Sequence, residues 1–178
     1  MTYDPATYWP ERYARQGPTY VAKGGRRDSY DAQIELIAPL FAAELPREGR
    51  VLDFGCGPQR FRPALEACGL VYEGFDLIPG LGTVGVVEPG RYDCAVAIYV
   101  LQHIVDEGEY ADALGRIREG LRPGGVLLVV DALPTEYTED RPRPAHMMPR
   151  GPQAVMAYMN SGAVRSLDAG HWTGTFVR

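Results

Sequence analysis

The run VLDFGCGPQRF, residues 51–61, ends an apolar stretch on an aspartate and then bares the backbone at Gly55 and Gly57. A second acid, Asp76, closes another apolar run, LVYEGFD, 21 residues beyond Gly55. An acid at that distance from a glycine turn is placed to accept the hydroxyls of a ribose. Two features oppose a pyrophosphate at the turn. Arg60 stands where the third glycine of the dinucleotide fingerprint lets a diphosphate approach the next helix. Asp53 sits just before the turn, where its charge repels a phosphate at short range. The corner suits a phosphate-free nucleoside with a cationic amino-acid portion.

S-adenosylmethionine has that character, with a sulfonium, an ammonium and a ribose. Asp53 would attract its ammonium, directly or through water and the loop amides. Gly55 and Gly57 would let the backbone pass close to the methionine part and ribose, and Asp76 would take the ribose hydroxyls. Leu77 and Ile78 follow and would pack on the adenine face. Phe54 and Cys56 belong to the same binding run, Cys56 as a small filler beside the ligand and not a nucleophile.

A further group lies in AIYVLQHI. Tyr99 is a contact for the methionine part or the substrate, set against the commoner core role of a strand tyrosine. His103 is a proton acceptor for a hydroxyl or amine, because an unperturbed imidazole titrates near 6.5; the competing role is a helix-start histidine bonded to backbone. His146 reads as an exposed loop residue and His171 as structural. No His and Cys group has metal-ligand spacing, so no metal is expected, and the nucleophile-elbow and zinc-protease motifs are absent. Tyr8, Trp9, Tyr13 and Tyr20 are candidates for a lid over the cofactor and an apolar wall for an acceptor, or for docked helix core.

These residues need a scaffold, and 178 residues with 46% hydrophobic and 23% charged content suit one globular domain. A net charge of −5 and pI near 5.2 argue against a broad phosphate-binding surface. Three cysteines without paired spacing fit free thiols in a reducing compartment. The first residues lack the apolar core of a signal peptide and no apolar run reaches membrane-spanning length, so a cytoplasmic protein without membrane partners is expected.

Asp4 and Pro5 read as the cap and first turn of a short aromatic helix, and Ser29 as the cap of a second carrying Tyr30, Ile34, Ile37 and Phe41 on one face. RVLDF is a buried strand, Arg60 to Cys68 a helix, LVYEGFD a second strand, TVGVV a weak third and YDCAVAIYVL a strong fourth. A helix with Tyr110, Leu114, Ile117 and Leu121 inward stops at RPGG, and VLLVVDAL is a fifth, wholly apolar strand. Residues 133–152 are proline-rich, a length of loop that is usually functional or disordered. A short helix over 153–160 leads to two runs that meet at Gly170 as a hairpin. The pattern predicts an α/β fold: a doubly wound, mostly parallel seven-stranded sheet with a C-terminal antiparallel hairpin. Its parts are an N-terminal helical lid over residues 1–45, a cofactor-binding core over 50–131, an acceptor-side loop over 133–152 and a hairpin over 163–178.

VLDFGCGPQRF, YEGFD, RYDCAVAIYVLQHI and LRPGGVLLVVD resemble, in order over residues 50–131, the first, second, fourth and fifth strand motifs of the class I S-adenosylmethionine-dependent methyltransferases. The resemblance implies a seventh strand inserted antiparallel, S-adenosylmethionine as cofactor with S-adenosylhomocysteine as product, and in-line methyl transfer to a small-molecule or peptidic acceptor. It also implies that donor and acceptor meet at the end of the fourth strand, where Tyr99 and His103 stand. TVGVVEPGRYD departs from the family, which often holds the adenine amino group with an acid after the third strand. The motif of amino-methylating DNA enzymes is absent, with AIYV in its place. An RNA or nucleotide acceptor, a nicotinamide-dependent oxidoreductase and a non-catalytic S-adenosylmethionine-binding module remain as alternatives, and the oligomeric state is open.

Overall fold

The computed structural model describes residues 3–16, 30–134, 143–167 and 171–178. The expectations resting on Tyr20, Ser29 and Gly170 lie outside the described residues. Helix α1 (Pro5–Gln16) is capped as expected. The Asp4 carboxylate accepts the Ala6 N–H at 3.0 Å and the Thr7 hydroxyl at 2.7 Å, while Pro5 occupies a first turn that needs no donor. Helix α2 (Tyr30–Glu44) buries Ile37 and Phe41 completely, with Ile34 packed beside them.

Strands β1 (Gly49–Phe54), β2 (Leu70–Phe75), β3 (Tyr92–Ile98) and β4 (Leu121–Ala132) are parallel. Strands β5 (Ser161–Ser166) and β6 (His171–Val177) pair antiparallel, β6 against β4. The order β2-β1-β3-β4-β6-β5 gives six strands among the described residues, a correction to the expected seven. The missing strand is TVGVV. Thr83 and Val84 both donate their N–H to the Gly74 carbonyl, and one isolated bridge, Phe75 to Val84, is the pairing made there. A backbone that turns two donors onto one acceptor is bent, and cannot run on as an extended ladder. Strand β4 also begins five residues before the expected VLLVVDAL, taking in Leu121 and RPGG.

Alternation along each strand sends side chains to two faces. Leu52, Phe54, Ala95, Ala97, Leu127 and Val129 face α4 (Glu107–Gly120), which contributes Tyr110, Ala113, Leu114 and Ile117. Val51, Val96, Ile98, Leu128 and Val130 face α2 and the short α3 (Arg62–Ala67). Each fully buried Leu or Ile contributes ~1.5–3 kcal/mol, so cover on both faces is what holds the sheet. The chain runs outward from β1 to β2 and then returns across β1 to β3. The crevice of such a sheet opens where that reversal occurs, at the carboxyl ends of β1 and β3.

Candidate functional site

The turn after β1 stays compact through residues with positive φ: Gly55 at +73°, Gly57 at +50° and Gln59 at +57°. Glycine is required at the first. A Cβ on Gly55 would lie 2.2 Å from a methyl carbon of Val100, at the end of the neighbouring β3. The Gly55 and Cys56 N–H groups both donate to the Phe75 carbonyl, at 2.8 and 3.1 Å, tying the turn to the end of β2. Directly after that strand stands Asp76. One carboxylate oxygen accepts the Gly57 N–H at 2.8 Å and the other accepts the Ile78 N–H at 2.8 Å. Two elements far apart in sequence thus meet at one carboxylate. Leu77, beside it, is 72% exposed, and Ile78 is partly buried.

Asp53, next to last in β1, lies underneath the turn and is only 3% exposed. The Tyr72 hydroxyl donates to it at 2.9 Å, but burial dominates and pushes the carboxyl pKa up to about 7. Phe54 points to the other face, stacked on Phe75 with ring centroids 5.2 Å apart. Burial raises the Cys56 thiol strongly, with Asp53 and Asp76 adding to the effect. A thiol so held stays protonated at neutral pH.

Tyr99 follows β3 with φ at +56°, a backbone setting that costs a bulky residue energy and clusters at functional sites. Its N–H donates to the Val130 carbonyl at 2.8 Å, and its ring meets His171 edge-on at 5.1 Å. His103 closes a single 3-10 turn, Leu101–His103. Its Nδ1 is 3.0 Å from the His146 carbonyl oxygen, which only accepts, so Nδ1 carries the proton. Its Nε2 then receives the Gln102 amide at 3.4 Å. Burial pushes the His103 pKa down to about 3, and that of His146 down as well. His103 is a neutral, doubly partnered imidazole.

Helix α1 lies over this group. The Tyr3 hydroxyl donates to the His103 carbonyl at 3.2 Å and accepts the Trp9 indole N–H at 3.0 Å. Trp9 meets the His103 ring edge-on at 4.7 Å, and Tyr8 stacks on His146 at 4.8 Å. A Cβ placed on Gly57 would lie 3.0 Å from the Tyr13 hydroxyl, so α1 reaches the glycine turn itself. His146, expected to be an exposed loop residue, is instead partly buried in this aromatic stack.

Two polar residues of the site escaped sequence reasoning. Gln102 is buried; its side-chain oxygen accepts the Ala132 N–H at 3.0 Å and its carbonyl accepts the Met148 N–H at 2.6 Å. It clamps the end of β4 to the 143–150 segment. Asp131, 2% exposed, accepts the Ala132 N–H at 3.1 Å, and burial raises its pKa to about 8. The available signal was an acid closing the otherwise apolar VLLVVD. Glu88 is turned away from the crevice mouth: it pairs with Arg91 at 2.8 Å beside the first residue of β3. Among the described residues no group of His, Cys, Asp or Glu is arranged to hold a metal, and no helix is long and apolar enough to cross a membrane.

Residues 25–167 match the family model described as a methyltransferase domain. No curated protein matches the sequence. Among solved structures, the fold is similar to that of the PH0226 protein from Pyrococcus horikoshii OT3, at 18% identity over 93% of this chain and 98% of that one, with a TM-score of 0.70. It is similar to the N-methyltransferase NodS from Bradyrhizobium japonicum WM9, in complex with S-adenosyl-L-homocysteine, at 14% identity over 98% and 99% of the two chains and a TM-score of 0.66. A third is the 1,6-didemethyltoxoflavin-N1-methyltransferase of Burkholderia thailandensis, with 1,6-didemethyltoxoflavin and S-adenosylhomocysteine bound, at 18% identity over 79% and 76% and a TM-score of 0.63. At such identities the likeness is one of fold.

Proposed function

The chain belongs to the methyltransferase-domain family, of the class I type that draws its methyl group from S-adenosylmethionine, and from that premise we propose that it methylates a small-molecule or peptidic acceptor. One observation carries the cofactor assignment: Asp76 is fixed at the turn by the N–H groups of Gly57 and Ile78 before any ligand arrives. A carboxylate has about four acceptor positions, and these two bonds use one on each oxygen. The remaining pair matches the two hydroxyls of a ribose. The exposed Leu77 supplies an apolar face for the adenine, with Ile78 beside it. Asp53, Phe54, Gly55, Cys56 and Gly57 form the floor and wall of the methionine end, and Tyr99 its boundary toward the acceptor.

Bound there, the cofactor supplies a methyl carbon activated by a positive sulfur. The chain's share is alignment and exclusion of water, and alignment alone recovers ~7–11 kcal/mol of barrier in well-oriented reactions. Tyr99, on its constrained backbone, orients the acceptor. His103 enters as a wall of the acceptor side, and its proton-acceptor role requires exchange of the Gln102 amide at Nε2. An acceptor with a free lone pair, such as a neutral amine or a carboxylate, needs no base. Of the neighbours named above, two are called N-methyltransferases, one of them with 1,6-didemethyltoxoflavin bound, which supports a small-molecule acceptor for this chain.

The test is calorimetry with S-adenosylhomocysteine, followed by a screen of amines, phenols, carboxylates and peptides for mass gain of one methyl in the presence of S-adenosylmethionine. Binding without methylation of any acceptor class would favour a non-catalytic binding module.

A further inference from the structure

The two edges of the sheet are finished differently. At β2 the outward groups of Gly74 are taken: its N–H donates to the Thr83 hydroxyl at 2.8 Å, and its carbonyl accepts the N–H groups of Thr83 and Val84. At β5 every residue is exposed, and among the described residues β6 is its one strand partner. Leu167 donates its N–H to the carbonyl of His171, directly opposite, at 3.0 Å. By alternation, Ala163 and Arg165 bond to β6, while Gly162 and Val164 turn N–H and C=O outward. Natural edges are commonly blunted by lysine, proline, a bulge or an inward charge. The run SGAVRS holds no lysine, proline or acid, and its register with β6 is unbroken. Its single charge, Arg165, is tied to Glu44 at 2.7 Å. Two large apolar side chains face solvent at this edge: Val164, and Met156 on α5 (Pro152–Met156), the helix packed against β5 and β6.

We propose that β5 is a dimerisation edge, pairing antiparallel with the β5 of a second copy of the chain about a two-fold axis at Ala163, so that one sheet runs through both. The strand is complementary to itself in that register. Gly162 and Val164 of one copy each exchange both bonds with Val164 and Gly162 of the other, two pairs of two bonds. Ala163 meets its own counterpart at the narrow, non-bonded position, where Cα atoms come within about 4.5 Å and a small side chain fits. Each exposed valine falls across from a glycine. A Cβ on Gly162 would lie 2.4 Å from the Phe176 ring, so that position is bare backbone with a ring beneath it, open to the valine of the other copy. Arg165 falls across from Ser161, which keeps the two guanidinium groups from facing each other. A second copy supplies every one of these matches by symmetry, whereas a foreign strand would need its own sequence to supply them. Contact along one six-residue edge is small for a specific interface, so dissociation is expected at roughly ten micromolar.

The experiment is sedimentation velocity of the full chain from about 1 µM to about 500 µM, where a monomer–dimer equilibrium is expected. Val164→Pro removes one outward N–H from each copy and spares the ladder to β6, so it is expected to weaken the dimer about tenfold or more. Ala163→Lys and Ala163→Glu each set like charges face to face, and each is expected to weaken it about fivefold. Their equimolar mixture sets opposite charges face to face and is expected to dimerise at least as well as the unaltered chain. Val71→Lys, on the β2 edge, is expected to change nothing. A species of monomer mass throughout would overturn the proposal and leave the edge to an extended segment of another protein. So would a dimer indifferent to Val164→Pro and to both Ala163 variants, or a mixture no tighter than its two components. Assemblies that grow beyond the dimer would also overturn it, since a two-fold edge closes on itself. Strands β4 and β6 separate β5 from the crevice, so the thermal midpoint and S-adenosylhomocysteine affinity of each variant report its fold independently.

Discussion

Replacing Asp76 with asparagine keeps the size of the side chain and removes its charge and half its acceptor capacity. In the protein as it stands, one oxygen takes the Gly57 N–H and the other the Ile78 N–H, each at 2.8 Å. Asparagine has one oxygen. If that oxygen keeps Ile78, its NH2 group faces the Gly57 N–H, donor against donor, and the amide can accept only one ribose hydroxyl. Hydrogen bonds to charged groups contribute ~1.5–3 kcal/mol each, which at 1.36 kcal/mol per decade is about tenfold to about 150-fold in affinity. Calorimetric titration with S-adenosylhomocysteine reads that loss. Asp76 is partly exposed, so water can satisfy the freed Gly57 N–H and the thermal midpoint should move little. Affinity within twofold of the original, in a variant that unfolds at the same temperature, would refute the ribose assignment. A large fall in midpoint would show that Asp76 serves to build the turn.

Gly55→Ala puts a Cβ into Val100 at a φ of +73°. The left-handed backbone alone costs about 1–2 kcal/mol, which for a chain of this size lowers the midpoint by about 2–8 °C in a thermal melt. Val100→Ala in the same chain should give a loss smaller than the sum of the two single losses; strict additivity would contradict the clash. Asp53 has its folded pKa raised to about 7 by burial, above its unfolded value, so its favourable contribution is present below pH ~4 and fades as pH rises toward 7. Urea unfolding at stepped pH should therefore show Asp53→Asn gaining on the original protein between pH 5 and 7, and a constant difference would count against a buried neutral carboxyl. His103, with its pKa pushed down to about 3, should stay unprotonated in a proton NMR titration from pH 8 to 5; a midpoint near 6.5 would contradict its packing under Trp9.

Much of the architecture was legible because parallel strands buried on both faces are written as apolar runs that end on acids. β1, β2 and β3 match their runs closely, and Asp53 and Asp76 fall at the crevice because strands end there. TVGVV misled because β-branched composition reports fitness for a pleated surface, not the bend forced by Thr83 and Val84 on Gly74. The partners of His103 were not legible either. They come from residues 102 and 146, and a ring's neighbours across 43 residues leave no periodic trace. Arg60 was visible only as a glycine that was not there. Its place against the Tyr99 ring depends on positive φ at Gln59 and Tyr99, which no propensity announces.

The most direct test is a paired titration of the unaltered protein with S-adenosylhomocysteine and with NAD, at one pH and one ionic strength. A crevice with Asp53 beneath its turn and Asp76 beside it, in the role proposed above, should saturate with the first ligand at a one-to-one ratio and give no heat with the second. Tight NAD binding, with the sulfur nucleoside unable to displace it, would contradict the account at its foundation.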